Sequence, residues 1–167
     1  MTIYLDYNAT SPMLDEVKNA MLECAPLPLN PSSIHSFGRS AKTLVEKARE
    51  DVMSLVGLNM HKGDYSLIFT SSVTEANNLM MHNFTKGRIL ISAVEHASIL
   101  KHRDYKDNID LLAVDKNGLI LTDQLEDWLE VNSGSDNLVS IILANNETGI
   151  IQPMKEIVDL VHKYGVL

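Results

Sequence analysis

A turn rich in hydroxyls, Thr70-Ser71-Ser72-Val73-Thr74-Glu75, follows the short, mostly apolar run Ser66-Leu67-Ile68-Phe69 and opens a segment with helical spacing. A strand that breaks into a helix leaves several backbone N–H groups without partners at the positive end of that helix, and such a junction can hold an anion such as a phosphate. The same residues also suit an ordinary helix start, with Ser72 or Thr74 as the cap and Glu75 complementing the helix dipole. Two more polar clusters occupy comparable places. Val94-Glu95-His96-Ala97-Ser98-Ile99 follows the apolar run 88–93, and Asn145-Asn146-Glu147-Thr148-Gly149 follows the run 138–144. In an open α/β sheet, ligands bind at the carboxyl ends of the strands, and all three clusters are expected there. His96 and His102 do not have the spacing of a zinc site, and no further His or Cys completes one, so no metal is expected.

The elements that must position these clusters alternate along the chain. Ser11 and Pro12 suit the start of a helix running to about Cys24, with Met13, Val17, Ala20, Met21 and Cys24 on one face. A second helix is expected over 40–55, burying Ala41, Leu44, Val45, Ala48 and Val52. Between them the prolines of 25–33 forbid helix and favour an extended internal loop. Strands are expected near 66–70, 88–93, 109–114 and 138–144. Asp115-Lys116-Asn117-Gly118 reads as a turn, and Thr122 as the cap of a helix carrying Leu125, Trp128 and Leu129. Pro153 opens a last helix with Met154, Ile157, Val158 and Val161 facing inward. Alternation of this kind implies an α/β fold, a mostly parallel sheet flanked by helices and joined by right-handed crossovers.

Five motifs in order carry a resemblance to a known family. They are Tyr4-Leu5-Asp6-Tyr7-Asn8-Ala9-Thr10-Ser11-Pro12, the segment from Asn30 to Arg39 containing Ile34-His35-Ser36-Phe37-Gly38, Phe69 to Glu75, Val94-Glu95-His96-Ala97, and Ala144 to Gly149. Together they resemble the class V aminotransferases, and within that family the cysteine desulfurases of the NifS/IscS type, which use pyridoxal 5'-phosphate. The resemblance implies that residues 1–167 form the N-terminal part of the large domain of an aspartate aminotransferase-like fold, with 1–40 a helix and active-site loop segment and 41–167 the α/β portion. It implies that Val73 and Thr74 hold the cofactor phosphate, that His96 stacks on the pyridine ring, and that Asn146 approaches the ring or substrate. Glu75 would close the phosphate turn. Asn8 and His35 are the substrate-side residues it implies, His35 in a loop that the family keeps near its dimeric active site. Ser72 stands where the family usually has Gly, a residue that tolerates backbone angles a Cβ resists.

The resemblance runs to Val161-His162-Lys163-Tyr164-Gly165-Val166-Leu167. In the family, the Asp that pairs with the pyridine nitrogen, the Lys that binds the cofactor covalently, the Arg that grips the substrate carboxylate and the nucleophilic Cys all lie further along. Lys86, Lys101 and Lys163 do not fall where the family's lysine falls, and Cys24, the single cysteine, is on an early helix. The expectation is that no catalytic Lys or Cys is present and that the chain alone does not desulfurate cysteine. A non-enzymatic remnant or partner subunit is the alternative. A parallel sheet stopping at Leu167 would leave an unpaired edge, so association is expected, with itself, with a separate C-terminal half, or with a full-length desulfurase.

Composition narrows the setting. With 167 residues, 45% of them apolar, the chain can build one domain with a core. A net charge of −8 argues against nucleic acid or an anionic membrane surface as a general partner. No apolar run is long enough to span a membrane, and Asp6 interrupts the start before a signal-peptide core can form. One cysteine excludes an internal disulfide and suits a reducing compartment, so a cytoplasmic protein is expected.

Overall fold

Strand β1 (Ile89–Ser92) is buried at every position and lies between β2 (Ile109–Leu112) and β3 (Leu138–Ser140), both parallel to it. This is seen in a computed structural model that describes residues 3–58, 65–84 and 86–167. Ile89 pairs with Ile109 on one side and Leu138 on the other, and Ile91 with Leu111 and Ser140. Side chains alternate across a strand, so β1 feeds two cores. Leu90 joins Leu112, Ile120, Leu125, Leu129, Ile157, Val161 and Val166, a cluster built by α5 (Thr122–Val131) and α6 (Met154–Lys163). Ile89 and Ile91 join Met81, Ile99 and Ile109, a cluster built by α3 (Val73–Asn83) and α4 (Ala97–Leu100). Helices on both faces of a parallel sheet explain why a run as apolar as Ile89-Leu90-Ile91 is required at its centre.

These elements form one of two compact units, Thr70–Leu167. Its connections are set locally. Asp115 Oδ1 accepts from the amides of Asn117 (2.8 Å) and Leu119 (2.9 Å), and Gly118 takes φ 84°, which together close the turn after β2. Gln152 is 3% exposed and crosses to the same turn, donating to Gly118 O at 2.8 Å and accepting from Ile120 N at 3.1 Å. Asp110 on β2 accepts from Arg88 Nε at 2.6 Å and from Trp128 Nε1 at 2.8 Å, joining the sheet to α5. Beyond α6 the chain returns beside β3, where Leu167 N donates to Asn137 O (3.2 Å) and Leu167 O accepts from Val139 N (2.8 Å).

The other unit, Met1–Phe69, holds α1 (Asp15–Cys24) and α2 (Ser36–Leu55). Helix α2 ends at Gly57 with φ 75°, a left-handed stop with Leu58 N and Val56 N both donating to Met53 O. Near its start the hydrogen of Gly38 faces Ser33 O, and a Cβ there would sit 2.0 Å from that oxygen. Arg49 donates to Leu67 O and lies over the Phe69 ring, 5.0 Å from its centre.

Several expected boundaries and faces differ. Helix α1 begins at Asp15 after Leu14, without the expected cap from Ser11, and buries no residue: Met13, Val17 and Met21 are exposed. Helix α2 starts at Ser36 instead of 40, and of its expected stripe only Ala41 is fully buried, while Leu44 and Val52 are exposed. No strand forms over 66–70; Ile68 is 75% exposed and has no ladder partner among the described residues. Thr122 is the first residue of α5, and Leu121 occupies the cap position. Helices α5 and α6 do bury Leu125, Leu129, Ile157 and Val161, as their spacing requires.

Candidate active site

After β1 the chain turns to α4 and out to β2 on one side, whereas after β3 it leads through α6 to Leu167 on the other. The crevice between the carboxyl ends of β1 and β3 is therefore the point where the strand order reverses, the place where an α/β sheet opens for a ligand. A cavity of about 410 Å³ lies there, within the size range of small-molecule sites. Val73, Thr74 and Asn77 of α3 line it, with Glu95, His96 and Ser98 after β1 and Ser140, Ile141 and Ile142 at the end of β3. A larger groove of about 540 Å³ runs along α2 and is lined by Thr43 and charged residues of that single helix alone.

The α3 end of the cavity is a true N-cap and also keeps donors to spare. Ser72 Oγ accepts from Glu75 N at 3.2 Å, and the Glu75 carboxylate turns back to Ser71, accepting from its amide and its hydroxyl, both at 2.6 Å. The Ser71 hydroxyl and amide together hold the Glu75 carboxyl below the usual carboxylate range. Glu75 thus spends its charge outside the helix, and among the described residues no acceptor reaches the amides of Val73 and Thr74. Ser72 has φ −165° and ψ 164°, extended backbone open to any residue, so the Ser in place of the family's Gly introduces no strain. Two free amides at the start of an 11-residue helix, with the Thr74 hydroxyl beside them, fit a phosphate group.

The β1 end is held by Glu95 and Asn145. Glu95 is nearly buried and accepts from Ser92 Oγ at 2.9 Å and from Ile142 N, so one carboxylate ties the ends of β1 and β3 together. Burial pushes its pKa up, opposed by those two hydrogen bonds and by the neighbouring His96. Asn145 Nδ2 donates to Val94 O at 2.9 Å, while its Oδ1 accepts from the amides of Glu147 and Thr148, folding 145–149 into a turn closed by Gly149 at φ 73°. Between these braces His96 caps α4, its Nδ1 accepting from Ser98 N at 3.1 Å.

Val73 and Thr74, far from His96 in sequence, thus line one cavity with it, whereas Asn146 is an exposed residue of the neighbouring turn and not part of the lining. Asn8 lies exposed in the turn at 7–9, below a Tyr4 hydroxyl that reaches the carbonyls of Asp6 and Thr10. His35 caps α2 by accepting from Gly38 N at 3.3 Å. Both belong to the Met1–Phe69 unit. The two imidazole caps, the Glu95 brace and Asn145 were not assigned these roles from sequence. Their signals were a His two or three residues ahead of the amide it caps, and a carboxylate just past a wholly apolar strand. His102 is a core residue, 1% exposed, with Nδ1 2.6 Å from the Tyr105 hydroxyl. Burial, with His82 and Lys106 nearby, holds its pKa below the ordinary value. Among the described residues no group of three metal ligands is found, and no helix is long and apolar enough to cross a membrane.

A parallel sheet flanked by helices, with a cavity at the reversal of strand order lined by a helix start and a histidine, defines an α/β protein with a ligand-binding crevice. The chain belongs to the class-V aminotransferase family, whose model matches residues 3–167. It is similar to the cysteine desulfurase IscS of Dictyoglomus turgidum, 37% identical over 98% of this chain and 43% of the relative, and to the cysteine desulfurase NifS of Azotobacter vinelandii, 33% identical over 99% and 42%. Among solved structures, a NifS-like protein from Rickettsia africae superposes with a TM-score of 0.94 at 43% identity, covering 99% of this chain and 46% of that one. The chain thus spans a little under half the length of the curated relatives it matches. The cofactor of the family is pyridoxal phosphate.

Proposed function

We propose that this chain is the cofactor-cradling portion of a pyridoxal phosphate-dependent cysteine desulfurase, an enzyme that takes sulfur from L-cysteine, leaves alanine and passes the sulfur through an enzyme thiol toward iron–sulfur cluster assembly. The observation that carries this reading is the single cavity lined by both the first turn of α3 and His96. Relatives named cysteine desulfurase support it. In this reading residues 1–167 belong to one large domain, 1–40 supplying the active-site loop segment and 41–167 the α/β portion. The amides of Val73 and Thr74 and the Thr74 hydroxyl would hold the phosphate. His96 would lie against the pyridine ring, and Asn146 would approach the ring or substrate. Asn8 and His35 would face substrate in the assembled enzyme. Pyridoxal phosphate, when bound, supplies the electron sink on which the chemistry depends. A helix start contributes about 0.3–2 kcal/mol to an anion and an aromatic stack about 1 kcal/mol, so these residues alone give weak, reversible binding.

The chain by itself is proposed to be inactive and to work in an assembly, with itself, with the remaining half or with a full-length desulfurase, in the cytoplasm. The wholly exposed apolar face of α1 supports an assembly, because Val17, Met21 and Leu22 lie on a helix that buries nothing. A titration of the full chain with pyridoxal phosphate, followed by dialysis, tests the cradle. Expected is a bound absorbance that dialysis removes, with affinity weakened at least tenfold in Thr74→Asp, which sets a charge against the phosphate, and several-fold in His96→Ala. Binding indifferent to both substitutions would overturn the site, and absorbance surviving dialysis would overturn the absence of a covalent lysine.

A further inference from the structure

We propose that Asn77 and Ser98 are positioning residues for His96, a hydrogen-bond relay that commits the imidazole Nδ1 to accepting and places the single proton of the neutral ring on Nε2. The backbone amide of Ser98 lies 3.1 Å from Nδ1 and can only donate, so Nδ1 presents a lone pair there. The Ser98 hydroxyl is 2.9 Å from the same nitrogen. Asn77 Nδ2 donates to that hydroxyl oxygen at 2.9 Å, occupying one of its lone pairs and favouring an orientation in which its proton points at Nδ1. All three residues line the same cavity.

The relay has two consequences. Whatever meets His96 at Nε2 in its neutral form meets a donor, so the ring selects an acceptor: a carboxylate, a phenolate or a carbonyl oxygen. Asn77 also stands one helical turn after Val73, on the helix whose first turn offers the free amides, so the relay fixes His96 to the same rigid element that would hold an anion. The functional weight of this rests on the reading of His96 as the ring-facing residue. The tautomer does not.

Long-range proton–nitrogen spectra of the uniformly labelled full chain, free of ligand and at neutral pH, test the relay, with His96→Gln assigning the resonances. Expected is one tautomer protonated at Nε2. Asn77→Asp, nearly isosteric, turns the relay's first donor into an acceptor that draws the Ser98 proton away. Asn77→Asp and Ser98→Ala should therefore each withdraw the hydroxyl donor from Nδ1 and raise the Nδ1-protonated population measurably, the Ser98 backbone amide remaining in place, and Ser98→Thr should keep the wild-type spectrum. An Nδ1-protonated ring in the wild type, or spectra unchanged in Asn77→Asp and in any folded Ser98→Ala, would overturn the relay. Failure of cofactor binding with the tautomer intact would instead sink only the proposed function.

Discussion

Glu95 is the point at which two strand ends and a cavity wall depend on one carboxylate, and its removal has a cost that can be worked out. In Glu95→Ala the Ile142 amide and the Ser92 hydroxyl lose their acceptor together. Ser92 is fully buried, with no water to replace the bond, while Ile142 is half-buried. Leaving a buried donor unsatisfied costs about 1–3 kcal/mol. Relief of the ionised carboxylate's desolvation offsets part of the pair, so a net loss of about 2 kcal/mol at pH 7 is expected. Glu95→Gln keeps an acceptor oxygen in place and discards the charge, and should cost under about 1 kcal/mol there. Burial raises the Glu95 pKa in the folded chain, so the native state holds this proton at pH values where the unfolded chain has released it. Stability from this group is fully present below the unfolded carboxylate value near 4.3 and falls as pH rises through the higher folded value. Wild type should therefore gain on the Gln variant as pH is lowered from 7 toward the unfolded value. Urea unfolding followed by the fluorescence of Trp128, the only tryptophan and part of the same unit, measures both variants across that pH range. An Ala variant within about 0.5 kcal/mol of wild type, or a wild-type-to-Gln gap that does not move with pH, would refute the argument.

Asp110 should show the opposite pH dependence. The Arg88 hydrogen bonds, with help from Trp128, hold its carboxyl below the ordinary range, so its contribution is present above the unfolded value and lost as pH falls through the folded one. The pair is partly exposed, and Asp110→Asn should cost roughly 1 kcal/mol at pH 7, shrinking toward zero in acid, with a shifted Trp128 emission as the second readout. Gln152→Leu leaves Ile120 N and Gly118 O without their side-chain partner and should cost about 1–3 kcal/mol by the same urea measurement, independent of pH.

What could be read from the chain depended on whether a residue's partner was near in sequence. The clusters at His96 and Asn145 follow β1 and β3 as expected, because hydrophobic runs and turn residues are local signals, whereas the cluster at 70–75 follows no strand among the described residues, and the stripes of α5 and α6 found a sheet to cover. The equally regular stripe of α1, and that of α2 apart from Ala41 and Val45, stayed exposed because periodicity names a face without naming what meets it. The run 66–70 failed as a strand for the same reason: extended apolar residues become a strand only when a ladder partner exists, and among the described residues none pairs with it. Glu95 was invisible as a brace because its acceptor role is to Ile142, 47 residues away. His35 and His96 were read for chemistry and not as caps, since an imidazole does this work less often than a hydroxyl or carboxamide.

The two roles are not in competition at His96. A capping bond consumes only Nδ1, and by consuming it fixes both the plane of the ring and the position of its proton. The ordinary helix start at Ser72 works likewise: the cap satisfies the Glu75 amide, and the amides of Val73 and Thr74 stay available because the Glu75 side chain has turned away to Ser71. In both places the capping bonds supply the preorganisation that a ligand site needs. The cradle forms entirely within Thr70–Leu167, and its geometry is set by groups of that unit alone. In the proposed reading, binding would be built by α3, β1 and the turn after it, separately from the residues that the resemblance places further along.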